Sequence, residues 1–478
     1  MLKALLFVAA IFAALCLHAQ DSHYWTSPYC SGGGMIGGAF VSDNRDSGVL
    51  FINPALLARS RMNSIALSTN GYTIETTTLH NGAGDGYNLR NRSLRSIPLL
   101  VAGNVKVPIK RPLYFAYGII NAPGMRFSAS QRRDEMANVL DDSYSPGEEQ
   151  FVGQYIQDNE VAEFSFIGAL AFPFGKNFSA GISMEGISRS GVTAYEYHGR
   201  AITNADPARN IPLVSTDISY MAKFTSYSGR IKLGLAWTHR QHSLGMTVKL
   251  PEIHPYGRGV ILSDEVIHNM GAAFLSTPFN LIASTRQDKL KVVWKTPVAI
   301  ALGYSIALPK TTINVCAEYF TPIKTYNIMT PTNDLFIRPD TGQVNNYSQE
   351  MLSLKDKRSG ILNAGISGAR TLSKHITFLL SFRTDFSYSK RGDIRRITGY
   401  YHALSDWDIY HTQLGINWRM NKYRLQLAVM GSYGTNPDYE QEINLSNATD
   451  LNLLTGNPHY IKATYYALGL TVSYVHNF

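Results

Sequence analysis

Taken two residues at a time, the stretch from Thr464 to Phe478 separates into two unlike faces. Tyr466, Leu468, Leu470, Val472, Tyr474, His476 and Phe478 form one, and Tyr465, Ala467, Gly469, Thr471, Ser473, Val475 and Asn477 the other. Successive side chains of a strand point to opposite faces, so the segment predicts a strand with one large apolar face and one small or polar face. The same period returns in Tyr423, Leu425, Leu427, Val429, Gly431 and Tyr433, and in Trp294, Thr296, Val298, Ile300, Leu302 and Tyr304. Phe164, Phe166, Leu170 and Phe172 share a face in an earlier segment. Aromatic residues bracket an aliphatic middle, as two membrane interfaces require, and about ten tilted residues suffice to cross a bilayer. The alternative is a large soluble β-protein, in which the apolar face would be core.

After Arg61 the alternating segments are joined by connections that are short, then long. The short ones are Pro108 to Pro112, Phe174 to Asn177, His239 to His242, Pro309 to Thr311, Thr371 to Lys374 and Met420 to Lys422. The long ones fall near 80–95, 121–160, 193–216, 261–288, 330–351, 390–405 and 436–459. Six short and seven long connections join fourteen strands. An even count with both termini at the short-turn end is the plan of a bacterial outer-membrane barrel. The predicted fold is therefore all-β, a fourteen-stranded antiparallel transmembrane β-barrel over residues 62–478, in the bacterial cell outer membrane.

The residues before the barrel read differently. Lys3, the apolar run Leu5 to Leu17 and the sequence Leu17-His18-Ala19 predict a signal peptide over residues 1–19. A lipidated Cys16 is disfavoured by the large Leu15 before it. Residues 20–61 lack a strand pattern and carry Ser31-Gly32-Gly33-Gly34, Gly37-Gly38 and Val49 to Ala58, where Pro54 stops a strand or opens a short helix. Gly32, Gly34 and Gly37 fit a bare dinucleotide-binding spacing, but no strand precedes them. Past Gln20, no segment offers the ~20 consecutive apolar residues of a membrane helix.

Composition adds little. The chain holds 28 Tyr and 39 Gly with 17% charged residues, which suits a barrel. Its formal charge of +9 fits basic turns and loops, or attraction of Arg90, Arg92, Arg132 and Arg133 to outer-membrane lipid and lipopolysaccharide phosphates. Nothing resembles a nucleic-acid module. Of three cysteines, Cys30 and Cys316 lie past the cleavage site, and their separation in sequence says nothing about contact.

No enzyme and no cofactor are expected. Ser183, Ser188 and Ser367 each follow Gly-Ile without completing a nucleophile elbow, and His239 and His242 flank a turn rather than form a metal pair. In the 261–288 connection, Val266, Met270, Ala273 and Phe274 recur at helical spacing. They predict an apolar stripe, either packed against other loops or forming an outer hydrophobic groove for an apolar ligand. Met136, Val139 and Leu140 form a smaller stripe.

The Gly-rich start, Ser42-Asp43-Asn44-Arg45-Asp46, and then Phe51-Ile52-Asn53-Pro54-Ala55-Leu56-Leu57-Ala58 resemble the N-terminal hatch of the FadL/TodX family of outer-membrane hydrophobic-compound transporters. Gly229 to Trp237 with Ser243 to Lys249, and Thr296 to Tyr304, resemble family hairpins. The resemblance implies a barrel plugged by residues 20–61, with Asn53, Pro54 and Ala55 as the hatch motif. It implies passive movement of a hydrophobic small molecule, a fatty acid or similar, from an outer groove to a lumen site. The ligand would leave sideways through a kinked third strand, near Leu113 to Phe127, where Asn121, Pro123 and Gly124 mark the weak point. Pro123-Gly124 simply beginning a loop is the alternative. It also implies that Phe478 is an assembly signal read by the outer-membrane assembly machinery. The mostly polar 193–216 connection departs from the family's outer groove. A second function compatible with this architecture is that of PorV-type barrels, which shuttle secreted proteins, and an aqueous porin is a weaker third.

Overall fold

The computed structural model describes residues 22–25, 41–43, 47–59, 63–107, 112–122, 126–204, 211–272, 278–339, 347–389, 399–403 and 405–478. The chain is a closed barrel of fourteen antiparallel strands. In order they are β1 Ser64–Leu79, β2 Leu89–Val107, β3 in two pieces (Leu113–Ala122 and Arg126–Ala137), β4 Glu149–Phe174, β5 Phe178–Ile202 and β6 Leu213–His239. Next come β7 (His242–Lys249 and Ile253–Met270), β8 (Phe279–Lys291 and Ala299–Ala307), β9 Thr311–Phe320, β10 Ile361–Thr371 and β11 Ile376–Asp385. The last three are β12 Asp408–Arg419, β13 Tyr423–Glu440 and β14 Tyr460–Asn477. Neighbours in sequence pair in the sheet, and β1 closes on β14 in a ladder from Ser64–Asn477 to Leu79–Ala463. Closure leaves the wall with no free edge at this seam, and in lipid an open edge would strand backbone groups without partners.

The two faces of β14 stand as the sequence predicts. Tyr466, Leu468, Leu470 and Tyr474 are exposed on the outside, while Tyr465, Ala467, Thr471, Ser473 and Val475 are buried inside. Phe166, Leu170 and Phe172 on β4, and Leu233 and Leu235 on β6, join the outer band. Such a band, with Trp237, Trp418 and Tyr474 toward one rim, is the lipid-facing surface of an outer-membrane barrel.

Several connections are shorter than their predicted spans because the strands continue beyond the bilayer. β4, β5 and β6 run for 26, 25 and 27 residues. At about 3.3 Å per residue each is more than ~80 Å long, against an apolar band ~25 Å tall. Above the lipid the outward face has no reason to be apolar, so the alternation that betrays a strand fades. The 80–95 connection thus shrinks to 80–88 and the 121–160 connection to 138–148. In the 261–288 connection β7 persists through Met270, so Val266 and Met270 lie on a strand and not on a helical stripe; Ala273 and Phe274 fall outside the described residues. Ile267 and Met270 are buried with Val139, Leu140, Phe151 and Leu454, which makes this a cluster of extracellular segments packed on one another. β9 to β12 are short, at 10, 11, 10 and 12 residues, and where they stop a small inner sheet (Ile323–Met329, Leu354–Arg358 and Tyr400–Tyr401) covers the lumen.

Candidate functional site

The lumen is filled from the N-terminal side. A 3-10 turn at Ser47–Phe51 and a second at Pro54–Arg59 bury Val49, Leu50, Phe51, Ala55, Leu56, Leu57 and Ala58 against inward residues Leu100, Ala102, Ala116, Ile167, Ala169, Ala171 and Ala236. Five of these seven wall residues are alanine, which leaves room for the bulk that the N-terminal segment supplies. Asn53 organises the junction. Its Nδ2 donates to Val41 O at 2.7 Å and to Leu235 O of β6 at 3.1 Å, and its Oδ1 accepts from Ala55 N at 3.1 Å. It is therefore the cap of the second turn, with Pro54 in the first position, where a missing N–H costs nothing.

Four glycines form the seat. A Cβ on Gly181 would lie 2.5 Å from the Pro54 carbonyl carbon, and one on Gly234 would lie 2.2 Å from Asn53 Oδ1. One on Gly245 would meet Val41 O at 1.8 Å, and one on Gly303 would meet Val41 Cβ at 2.8 Å. Gly181 pairs with Gly234, and Gly245 with Gly303, so four adjacent strands offer bare backbone to the segment. Lys232 Nζ donates to Phe51 O, and Ser42 Oγ lies 2.5 Å from Ser305 Oγ. Farther round the wall, Trp25 N donates to Asp385 Oδ1 at 2.9 Å and Trp25 Nε1 to Glu318 Oε2 at 2.7 Å. Tyr24 stacks on Phe320 with ring centroids 4.1 Å apart, and burial pushes its phenol up to about 12.

Beside this seat lies a cavity of about 100 Å³, lined by Phe51, Tyr24, Phe320 and Trp294 and by a group of charges. Arg189 Nη2 is 2.7 Å from Glu163 and its Nη1 3.1 Å from Glu252. Arg230 is 2.7 Å from Glu185 and 3.7 Å from Glu252, and Lys249 Nζ is 2.7 Å from Glu318. Arg358 Nε lies 2.8 Å from Asp356. The guanidiniums of Arg189 and Arg358 lie 4.6 and 5.2 Å from the Trp294 ring centroid. Buried charges cost several kcal/mol each unless paired and hydrogen-bonded, and here each carboxylate has a cation within reach.

Sequence reasoning placed Asn53, Pro54 and Ala55 where the structure gathers the seat, but passed over these charges. The signal was present: Arg230 and Lys232 occupy inward positions between outward Ile231, Leu233 and Leu235, and a charge facing a barrel lumen needs partners. Trp294 was placed with Ile300 on one outward face; in fact it turns inward and is buried, because β8 is interrupted between Lys291 and Ala299. Asn121 is buried near the end of the first piece of β3, and its Oδ1 has no hydrogen-bond partner among the described residues. Pro123 and Gly124 lie outside the described residues. The β2–β3 ladder ends at Leu100–Ile120, whereas both pieces of β3 remain paired to β4. Phe478 is exposed, its N–H donating to Asn63 O at 3.0 Å. Cys30 is outside the described residues, and Cys316 is buried on β9.

No family model matches the chain, and no curated protein matches it. Solved structures do share its fold. A Pseudomonas aeruginosa FadL homologue is 14% identical with a TM-score of 0.57, over 96% of this chain and 100% of that one. The Pseudomonas putida toluene transporter TodX is 13% identical with a TM-score of 0.53, over 97% and 100%. The Ralstonia pickettii toluene transporter TbuX is 10% identical with a TM-score of 0.51, over 95% and 98%.

Proposed function

We propose that this outer-membrane barrel passes hydrophobic or amphipathic small molecules without an energy source, with the N-terminal segment as its hatch. The observation that carries this reading is the seat itself. The segment is held by apolar packing of its two turns, by a few capping hydrogen bonds and by close backbone contact, and its described residues add no strand to the wall, so it can shift while the ladder stays closed. The shared fold with two toluene transporters supports the substrate class. The cavity's charges extend that class to molecules with a polar end. Sideways exit near Asn121, Pro123 and Gly124 is part of the proposal, supported by the β2–β3 ladder ending short of that point.

Asn53→Ala tests the hatch. It removes three hydrogen bonds, each worth about 1 kcal/mol net, and contributes to no strand of the wall. The expected result in proteoliposomes is normal barrel insertion with altered permeation of an apolar fluorescent probe and of a polar antibiotic. Unchanged permeation of both would reduce Asn53 to a structural cap. The same vesicles report the route, since sideways exit delivers the apolar probe to the bilayer and not to the aqueous interior.

Assembly is the second part. Phe478 ends the outward register of β14, beside His476 at a ring-centroid distance of 5.0 Å. Deleting Phe478 is expected to lower the membrane-inserted fraction while the synthesised amount stays constant. Full insertion without it would remove the proposed partnership with the assembly machinery.

A further inference from the structure

We propose that the wall between β7 and β8 contains a second side window, through which the alkyl chain of a single-chain amphiphile reaches the lumen while its acceptor-bearing head meets Arg358. The proposal rests on the transport reading above and concerns a different part of the wall from β3. The β7–β8 ladder has two halves. The outer half runs from Met270–Phe279 to Arg258–Lys291, and the inner half from Lys249–Ala299 to His242–Ile306. Between them, the hydrogen bonds across the gap among the described residues are Val292 N to Gly257 O at 3.3 Å and Glu252 N to Thr296 Oγ1 at 2.9 Å.

The parting is built into the chain. Pro251 and Pro297 stand on opposite sides of it, and proline brings no N–H to a ladder. Both pieces of β7 stay paired to β6, with Leu250 N donating to Ile231 O at 2.9 Å and Tyr227 opposite Tyr256, across a register shift at the break. The β8 segment turns inward instead and is satisfied from within. Val293 N donates to Ile328 O at 2.9 Å, Lys295 N to Tyr326 Oη at 3.1 Å, and Val298 O accepts from Thr321 N at 3.0 Å. Unsatisfied backbone in lipid costs several kcal/mol per group, so a wall can part only where other partners are supplied. Here the inner sheet and its approach supply them.

The two sides of the parting suit an amphiphile. Outside, Leu250, Ile253 and Tyr256 are 37%, 70% and 49% exposed, an apolar threshold at the edge of the lipid band. Inside, Glu252, Trp294, Thr296 and Pro297 line the cavity. The carboxylates there are already bonded to arginines. Arg358, whose side chain is 3% exposed, keeps Nη2 without a hydrogen-bond partner among the described residues. An acceptor-bearing head fits that donor, and an alkyl chain fits the indole and the threshold.

Two measurements test the window. Trp237→Phe with Trp418→Phe removes the half-buried and the exposed tryptophan of the lipid-facing band, leaving Trp25, Trp294 and Trp407, all buried. Chain-brominated dodecanoate is expected to quench one component of the remaining fluorescence, and that component should vanish when Trp294→Phe is added. No quenching, or quenching by brominated bilayer phospholipid alone, would overturn the proposal and leave a lipid-filled crevice. Second, Pro251→Cys with Thr296→Cys, bridged by a short bifunctional thiol reagent, is expected to reduce transfer of pyrene-labelled dodecanoate to the vesicle background. A bridged Leu244→Cys, Tyr304→Cys pair, across the intact ladder, should leave transfer unchanged. Equal transfer with the parting bridged would sink the window as a route. Absence of transfer in the unbridged protein would instead sink the transport reading, with the quenching result still deciding whether the amphiphile reaches Trp294.

Discussion

Gly245→Val combined with Gly234→Val is expected to unseat the N-terminal segment and turn the barrel into a leak for polar solutes. Each new side chain would enter space held by the segment's backbone or cap, with Val41 O at 1.8 Å and Asn53 Oδ1 at 2.2 Å from the added Cβ atoms. Overpacking of this kind costs about 1–3 kcal/mol per site, and each 1.4 kcal/mol shifts occupancy about tenfold. Two sites together shift the balance toward the unseated state by roughly one to four powers of ten. Both glycines remain in their ladders, because valine suits a strand and the backbone pairs are untouched. The check is single-channel conductance together with antibiotic influx in cells, and protease sensitivity of the N-terminal segment reports its release. Wild-type conductance in a correctly inserted double variant would mean that the segment yields locally and the seat does not control permeation.

The second large effect is expected from Arg189→Met. This side chain, 3% exposed, bridges Glu163 and Glu252, and its removal leaves two buried carboxylates short of a partner. Breaking a buried ion pair by removing one member typically costs 3–5 kcal/mol, or roughly that order here, while replacing all members by neutral groups is often harmless. Arg189→Met should therefore lower the unfolding temperature on semi-native gels sharply. Adding Glu163→Gln and Glu252→Gln should recover much of the loss. If the single variant is as stable as the parent, the charges are hydrated from the cavity and contribute little to holding the wall.

Alternation made the barrel legible, since lipid outside and a packed lumen inside impose opposite demands on neighbouring residues. It worked for β14 and β13, whose outward tyrosines and leucines are where the pattern put them. It failed at Arg126 to Ala137, where β3 has left the lipid and its outward face is Arg126, Ser128, Ser130 and Arg132. It failed again at Trp294 to Val298, whose alternation suggests wall although Pro297 forbids a complete ladder. The turn at Pro54–Arg59 was legible at Pro54, because proline suits the first position of a helix, where a missing N–H costs nothing. The Arg189, Arg230 and Glu252 network was not, since its members come from strands far apart in sequence and only closure brings them together.

Closure gives the N-terminal segment a consequence beyond occupancy. Its residues touch inward positions on β2 to β9 and on β11, nine of the fourteen strands, while it immediately precedes β1 in the chain. The β1–β14 seam joins Ser64 to Asn477, the longest separation of any strand pair, so it should be among the slowest contacts to form. A segment already synthesised and able to bind each curved strand pair in turn is placed to act as a mandrel, setting the radius around which the sheet curls before the seam zips.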